Sequence, residues 1–290
     1  MAAKKRKGLR SGTVFLITFL AFLLLFGGAM IWGVTEYWGQ THAALPTQPQ
    51  PTQPVTVRDR THRVLVVTEE AGEARGFTVL SLDKGVSIRV IPVPRETVVT
   101  EGVTQTRLFE YYKTADITRV TAKVGELLGF PLTHYGVITY QNLDRLITHF
   151  GEGLIFTLKE QVNYEAAGGG AVNMRAGART LTPAQAVELL RYTGWHVGRR
   201  GMAAAQGEIF AALINQYLVP GRFDDNDSEF AAIIGLCQSD LLASQFAAAR
   251  EDLLTLAKNN QRGVASVTFP EGEYVGVGEE MRFEMEETPL

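Results

Sequence analysis

The chain has 290 residues, 46% hydrophobic and 20% charged, ordinary values for a globular protein that carries one apolar segment. Its formal net charge of -3 argues against a general nucleic-acid binder, because such domains carry a basic excess. The one cysteine, Cys237, excludes an intrachain disulfide, so a domain outside the cytoplasm must be held by its core alone. Cys237 follows the apolar run Ala231 to Leu236 and reads as a small buried residue.

The charge is uneven along the chain. Residues 1–12 carry Lys4, Lys5, Arg6, Lys7 and Arg10 with no acidic partner, a basic tail of +5 that leaves about -8 for the remainder. Residues 13–34 follow with no charge at all. As a helix they reach about 33 Å, enough for a hydrocarbon core of about 30 Å. Trp32, Tyr37 and Trp38 gather at the far end, where amphipathic rings favour the interface. Basic residues ahead of the helix predict a single-pass anchor in the cell membrane, N-terminus in the cytoplasm and domain outside. The alternative is a cleaved signal peptide, against which stand the length of the run and the lack of a convincing small-x-small site. Residues 35–61 read as a linker, since Pro46, Pro49, Pro51 and Pro54 alternate with Thr and Gln and favour an extended spacer.

Residues 62–287 read as one extracytoplasmic domain. Short β-branched runs at 63–68, 77–82 and 86–93 predict three strands. A helix is expected over Ala115 to Leu128, a strand over His134 to Tyr140, a helix over Leu143 to Phe150 and a strand over Leu154 to Leu158. Thr182-Pro183-Ala184-Gln185 has Thr at the N-cap, Pro at N1 and Gln at N3, a strong helix start. Longer helices are expected over about Gly201 to Leu218 and Leu241 to Ala257, with strands returning between Gly263 and Glu286. The pattern predicts an α/β fold, a central mixed β-sheet sandwiched by helices.

Four motifs fail on context. Ser81-Leu82-Asp83-Lys84 has the S-x-x-K spacing but ends a strand, where that chemistry needs a helix start. Asp225 to Glu229 lacks the Gly and the Glu of a calcium loop, which leaves an exposed acidic helix cap. Gly168-Gly169-Gly170 has no Lys-Ser/Thr after it, so a mobile loop is expected and not a phosphate loop. The histidines His42, His62, His134, His149 and His196 show no zinc-ligand spacing.

Two arginines stand out by position. Arg95 lies just past a strand that should be central, the place where ligands collect in α/β sheets. Arg191 lies near the end of the apolar helix opened by Thr182. Their surroundings resemble the LytR-CpsA-Psr proteins of the bacterial envelope. Pro92-Val93-Pro94-Arg95-Glu96-Thr97 matches the family's S-I-P-R-D-T, and Val124 to Tyr135 matches v-E-x-L-L-G-I-P-I-D-H-Y. Leu146 to Leu154 loosely matches L-v-D-x-L-G-G-V, and Gly177 to Arg191 matches G-x-Q-x-L-t-G-x-q-A-L-x-Y-v-R. Phe269-Pro270-Glu271-Gly272 is similar to the late l-P-G strand.

The resemblance implies a transferase that moves a glycopolymer from a polyprenyl-pyrophosphate carrier to peptidoglycan. It implies an apolar pocket for the polyprenyl chain, and arginines and a magnesium ion (Mg2+) on the pyrophosphate. It implies Arg95 and Arg191 as catalytic phosphate contacts, and Arg107, Gln206, Arg199 and Arg200 as substrate-binding residues. The sequence also departs from the family. The expected metal-ligand aspartate falls on Arg75 or Gly76, Glu96 replaces an aspartate, Thr193 replaces an arginine, and Met202 and Ala205 stand where arginines are expected. Arg199 and Arg200 lie one helical turn early. Three readings stay open: a transferase, a non-catalytic module that binds a lipid-linked precursor or a wall-assembly partner, and a structural envelope protein.

Overall fold

The structure, a computed structural model, describes residues 62–83, 86–132, 134–150, 153–166, 169–220, 235–242 and 252–286. The expected basic tail, anchor and linker lie outside these residues, as do Lys84, Gly168 and the segment Asp225 to Glu229. Among the described residues no helix is long and apolar enough to cross a membrane.

Three strands form the centre of a six-stranded mixed sheet: β1 (His62–Glu70), β2 (Glu73–Asp83) and β3 (Ser87–Val93). They run as an antiparallel meander, with Val66 opposite Thr78 and Val79 opposite Ile91. With β6 (His134–Thr139), β11 (Gln238–Ser239) and β12 (Ala265–Val267), the order is β11-β6-β1-β2-β3-β12. β6 joins β1 in parallel and β12 joins β3 in parallel, which makes the sheet mixed.

Both faces of the sheet are buried, which is why its strands read as near-continuous apolar runs. Val64, Val66, Leu80, Leu82, Ile88 and Val90 face one core, and Leu65, Val67, Phe77, Val79, Ile91 and Val93 face the other. The first core is covered by α3 (Tyr140–Phe150), α4 (Pro183–Arg191), α5 (Arg199–Tyr217) and the helical stretch 252–259. The second is covered by α1 (Leu108–Thr114) and α2 (Ile117–Leu127). Each Val, Leu or Phe buried this way contributes roughly 1.5–3 kcal/mol.

The start of α4 follows the sequence pattern. Thr182 accepts from Gln185 N at 3.2 Å, and Gln185 Oε1 accepts from Thr182 N at 3.0 Å. The helix expected over Ala115 to Leu128 is α2, two residues shorter at its start, and the separate α1 before it was not expected. Ala115 caps the end of α1, and the Asp116 carboxylate caps α2 by accepting from Thr118 N at 2.9 Å and Arg119 N at 3.1 Å. Leu241 and Leu242 are not helical, so the last expected helix starts too early in the sequence reading. Asp240 beside them is tied to β6 through His134 Nδ1 at 3.0 Å and Tyr135 N at 3.2 Å.

Two polar hairpins escape the sequence reading, β4 (Val98–Glu101) with β5 (Thr104–Arg107) and β8 (Val162–Glu165) with β9 (Ala171–Met174). Gly169 and Gly170 belong to the bend between β8 and β9, where Gly169 N donates to Ala166 O at 2.9 Å. Two further antiparallel pairs complete the domain: β7 (Leu154–Leu158) with β10 (Gly177–Leu181), and β13 (Gly272–Val275) with β14 (Arg282–Met285).

Candidate functional site

Where β3 ends, the chain turns sharply over Pro94 to Thr97. Thr97 donates to Pro94 O from both its N–H, at 3.0 Å, and its hydroxyl, at 2.6 Å. Neighbours fix the turn from outside: Phe109 N donates to Arg95 O at 3.0 Å, and Phe283 N to Glu96 O at 2.9 Å. The Arg95 guanidinium lies 4.3 Å from the centre of the Phe109 ring, and Arg107 approaches the same ring at 4.7 Å. Such cation–π contacts hold a guanidinium in place without neutralising it.

Arg95 is short of acceptors. Its side chain is 15% exposed, its Nε is buried without a hydrogen-bond partner among the described residues, and Glu96 Oε1 lies 3.9 Å away. Burial lowers the Arg95 pKa, Arg75 and Arg199 push the same way, and Glu96 opposes them. Burial likewise raises the Glu96 pKa, against the charges of Arg199 and Arg95. Arg199 Nη1 approaches Glu96 Oε1 at 3.5 Å.

The hairpin turn between β1 and β2 supplies the second wall. Ala71 and Gly72 both have positive φ, 53° and 75°, as a two-residue turn matched to strand twist requires. The turn sets Glu70 and Glu73 side by side. Glu70 accepts from Arg191 Nε at 2.7 Å and lies 3.5 Å from Arg75 Nε. Glu73 accepts from Lys113 at 2.9 Å and lies 3.6 Å from Arg75 Nη1, and the Lys113 partnership lowers its pKa. Arg191 also pairs with Glu188 one turn back and lies 5.6 Å from the centre of the Tyr140 ring. Although burial opposes it, the contacts to Glu70 and Glu188 raise the Arg191 pKa.

The third wall is α5, whose Arg199, Met202, Ala203 and Gln206 share one face at helical spacing. They close a cleft of about 10 Å³ with Arg75, Gly76, Arg95 and Glu96, among the apolar Val93 and Leu190. That volume is at the lower limit for one water molecule. A second cleft of about 220 Å³ shares Arg95, Glu96 and Arg199 and adds Arg107, Phe109 and Glu279. A larger groove, about 730 Å³, runs past Val98, Lys123, Glu126 and Met285, and no arginine lines it.

Gln206 fills space that another residue would need. A Cβ placed on Gly76 would sit 1.4 Å from Gln206 Oε1 and 2.5 Å from its Nε2. Gln206 is 5% exposed, and its Nε2 finds no hydrogen-bond partner among the described residues. An unsatisfied buried donor costs about 1–3 kcal/mol, so the Gln206 and Arg95 donors are costly in this state.

Of the residues singled out from sequence, Arg95, Arg199 and Gln206 meet in one cleft. Arg107 lines the second cleft, held by Glu110 and the Glu279 carbonyl; its hydrogen bond holds the Glu110 carboxyl down to about 2. Arg191 reaches the group only through Glu70, which it shares with Arg75. Arg200 lines neither cleft and stacks 4.2 Å from the centre of the Phe269 ring. Sequence reasoning missed Glu70, Glu73, Phe109 and Tyr140, and took Arg75 only as a missing aspartate. The one local signal for the two glutamates was the Ala71-Gly72 turn, placed between runs of strand character.

The residues present do not fit a magnesium ion. Among the described residues no group of three or more His, Cys, Asp or Glu side chains is placed to hold a metal. The expected ligand position carries Arg75 and Gly76, and each of Glu70, Glu73 and Glu96 already faces a cation. Clustered guanidiniums, a buried amide donor and a strand-end turn suit an anion of phosphate type.

The LytR_cpsA_psr family model matches residues 70–288. No curated protein matches the chain. Among solved structures, a transcriptional regulator from Enterococcus faecalis is 17% identical, covering 78% of this chain and 82% of its own, with a TM-score of 0.63. TagV of B. subtilis is 15% identical over 78% of this chain and 90% of its own, with a TM-score of 0.61. TagT, a B. subtilis protein, in a structure bound to LI-WTA is 12% identical over 78% of this chain and 85% of its own, with a TM-score of 0.58.

Proposed function

The chain belongs to the LytR_cpsA_psr family, and from that premise we propose that it transfers a polyprenyl-pyrophosphate-linked glycopolymer to peptidoglycan. One observation carries the proposal. Arg95 stands at the end of a central strand with a buried donor that has no acceptor, and Arg199, Arg75 and the Gln206 amide converge on the same cleft. The LI-WTA bound to TagT supports the kind of ligand.

In the proposed step an acceptor hydroxyl of peptidoglycan attacks the sugar-side phosphorus. The phosphoanhydride bond breaks, polyprenyl phosphate leaves, and the hydroxyl proton passes to the solvent or to a basic group. The chain's part is to position the two phosphates and to offset the charge that develops on the leaving oxygen. Arg95 and Arg199 contact the pyrophosphate, Arg107 contacts it from the second cleft, and Arg191 orders Glu70 and through it Arg75. An N-terminal anchor over residues 13–34 and a linker over 35–61 would present the domain to the outer leaflet, where such a carrier lies.

The test is the full chain in detergent with a radiolabelled polyprenyl-pyrophosphate oligosaccharide and purified peptidoglycan. Label passing to the insoluble wall, with polyprenyl phosphate released in equal amount, is the expected result. Arg95→Ala should lower it about 100-fold, and label transfer at the parent's rate after that change would sink the assignment.

A second reading has its own support. Arg75, Arg191 and Arg199 each face a glutamate, and the cleft at Arg95 and Gln206 has room for about one water. A non-catalytic module that binds a lipid-linked precursor or a wall-assembly partner would tolerate both features. Saturable binding of the labelled carrier with no transfer would favour it.

A further inference from the structure

We infer that this site holds its anion on guanidinium and amide donors alone, with the Arg75 charge and the Gln206 amide standing where a divalent cation and its carboxylate would be. The identity of the anion rests on the function proposed above; the absence of a cation rests on three observations of its own.

The first is steric. Position 76 is glycine, and the Gln206 amide occupies the volume that any side chain there would take, at 1.4 Å from an ideal Cβ. A carboxylate at 76 would have to push the Gln206 amide aside from the place it holds. The second is donor chemistry. A metal site offers lone pairs to a cation, whereas this cleft presents N–H groups. Arg95 Nε and Gln206 Nε2 are both buried without acceptors, and Gln206 is 5% exposed. Donors in that state call for an acceptor-rich ligand.

The third is charge. Arg75 brings a fixed positive charge to one of the two positions, 75 and 76, on which the expected metal ligand falls, and it is held there by Glu70 at 3.5 Å and Glu73 at 3.6 Å. Those two carboxylates are further engaged by Arg191 and Lys113, and Glu96 lies between Arg95 and Arg199. Burial also raises the Glu96 pKa, which makes it a poorer cation ligand. A guanidinium keeps its charge without a bound ion, and its planar fork matches two phosphate oxygens.

The experiment uses the full chain in detergent micelles with geranylgeranyl pyrophosphate as the probe, titrated calorimetrically in EDTA and again in excess magnesium. In parallel, manganese alone is titrated and followed by electron paramagnetic resonance of the free ion. The expected result is an affinity that agrees within about threefold between the two buffers, with no stoichiometric manganese uptake. Arg75→Gln should weaken binding about tenfold in both buffers, at an unchanged melting temperature. Tighter binding by about tenfold in magnesium, or one manganese bound per chain, overturns the inference while leaving the proposed substrate intact. Arg75→Gln binding as tightly as the parent also overturns it. Absence of binding in either buffer overturns both the inference and the function it rests on.

Discussion

The turn after β3 and the C-terminal end of α4 each present one arginine to the same end of the sheet, in opposite electrostatic states. Arg95 is mostly buried, stacked on Phe109, with its nearest carboxylate at 3.9 Å and its Nε unpaired. Arg191 is a third exposed and already committed to Glu70 and Glu188. From sequence the two look equivalent. Their environments make Arg95 a donor waiting for an acceptor and Arg191 a strut that holds an acidic hairpin in place.

The contrast is most directly broken at the two arginines. Arg95→Ala should lower transfer, or carrier binding if there is no transfer, by about 100-fold, since it removes a preorganised donor to developing charge. Arg191→Ala should cost about tenfold and act through Glu70, so that Arg191→Ala combined with Glu70→Gln falls short of the product of the two single effects. Equal losses from Arg95→Ala and Arg191→Ala would erase the distinction.

The next effect separates the two regions through stability. Thr182→Ala removes the N-cap of the helix that carries Arg191 and should cost about 1 kcal/mol in denaturant unfolding. Carrier affinity should change little, because the Pro94–Thr97 turn is fixed by Phe109 and Phe283 and not by α4.

The smallest effect concerns pH. Burial raises the Glu96 pKa in the folded chain above its unfolded value, so between those two values the folded state binds a proton that the unfolded chain has lost. Stability through Glu96 is therefore present at acid pH and is lost as pH rises through the folded pKa. Glu96→Gln should melt slightly above the parent at pH 8, and the difference should vanish below the ordinary carboxylate range. A gap that widens on acidification would reverse the sign of the argument.

How much of this was legible in the sequence depends on distance along the chain. The α4 capping box lies within four residues, and the structure forms both of its hydrogen bonds. The three central strands declare themselves because both faces of each are buried, and Arg95 follows directly from the end of the third. Glu70 and Arg191 are 121 residues apart, and neither local sequence names the other. The β4–β5 hairpin was missed because Thr104-Gln105-Thr106-Arg107 is polar throughout and lacks a buried face to set a period. The start of α2 was placed two residues early, at Ala115, because the Asp116 cap and not the apolar spacing decides where the helix starts.

The interlock of Gly76 with Gln206 restricts how this sequence can change. A residue larger than glycine at position 76 would meet the amide end of Gln206 and can enter only if that side chain turns aside, so the two sites are coupled. An acidic side chain entering at 76 first would displace the Gln206 amide from the cleft, whereas shrinking 206 first would leave a hole beside Arg95. The two orders of substitution thus pass through different intermediates, one crowded and one hollow.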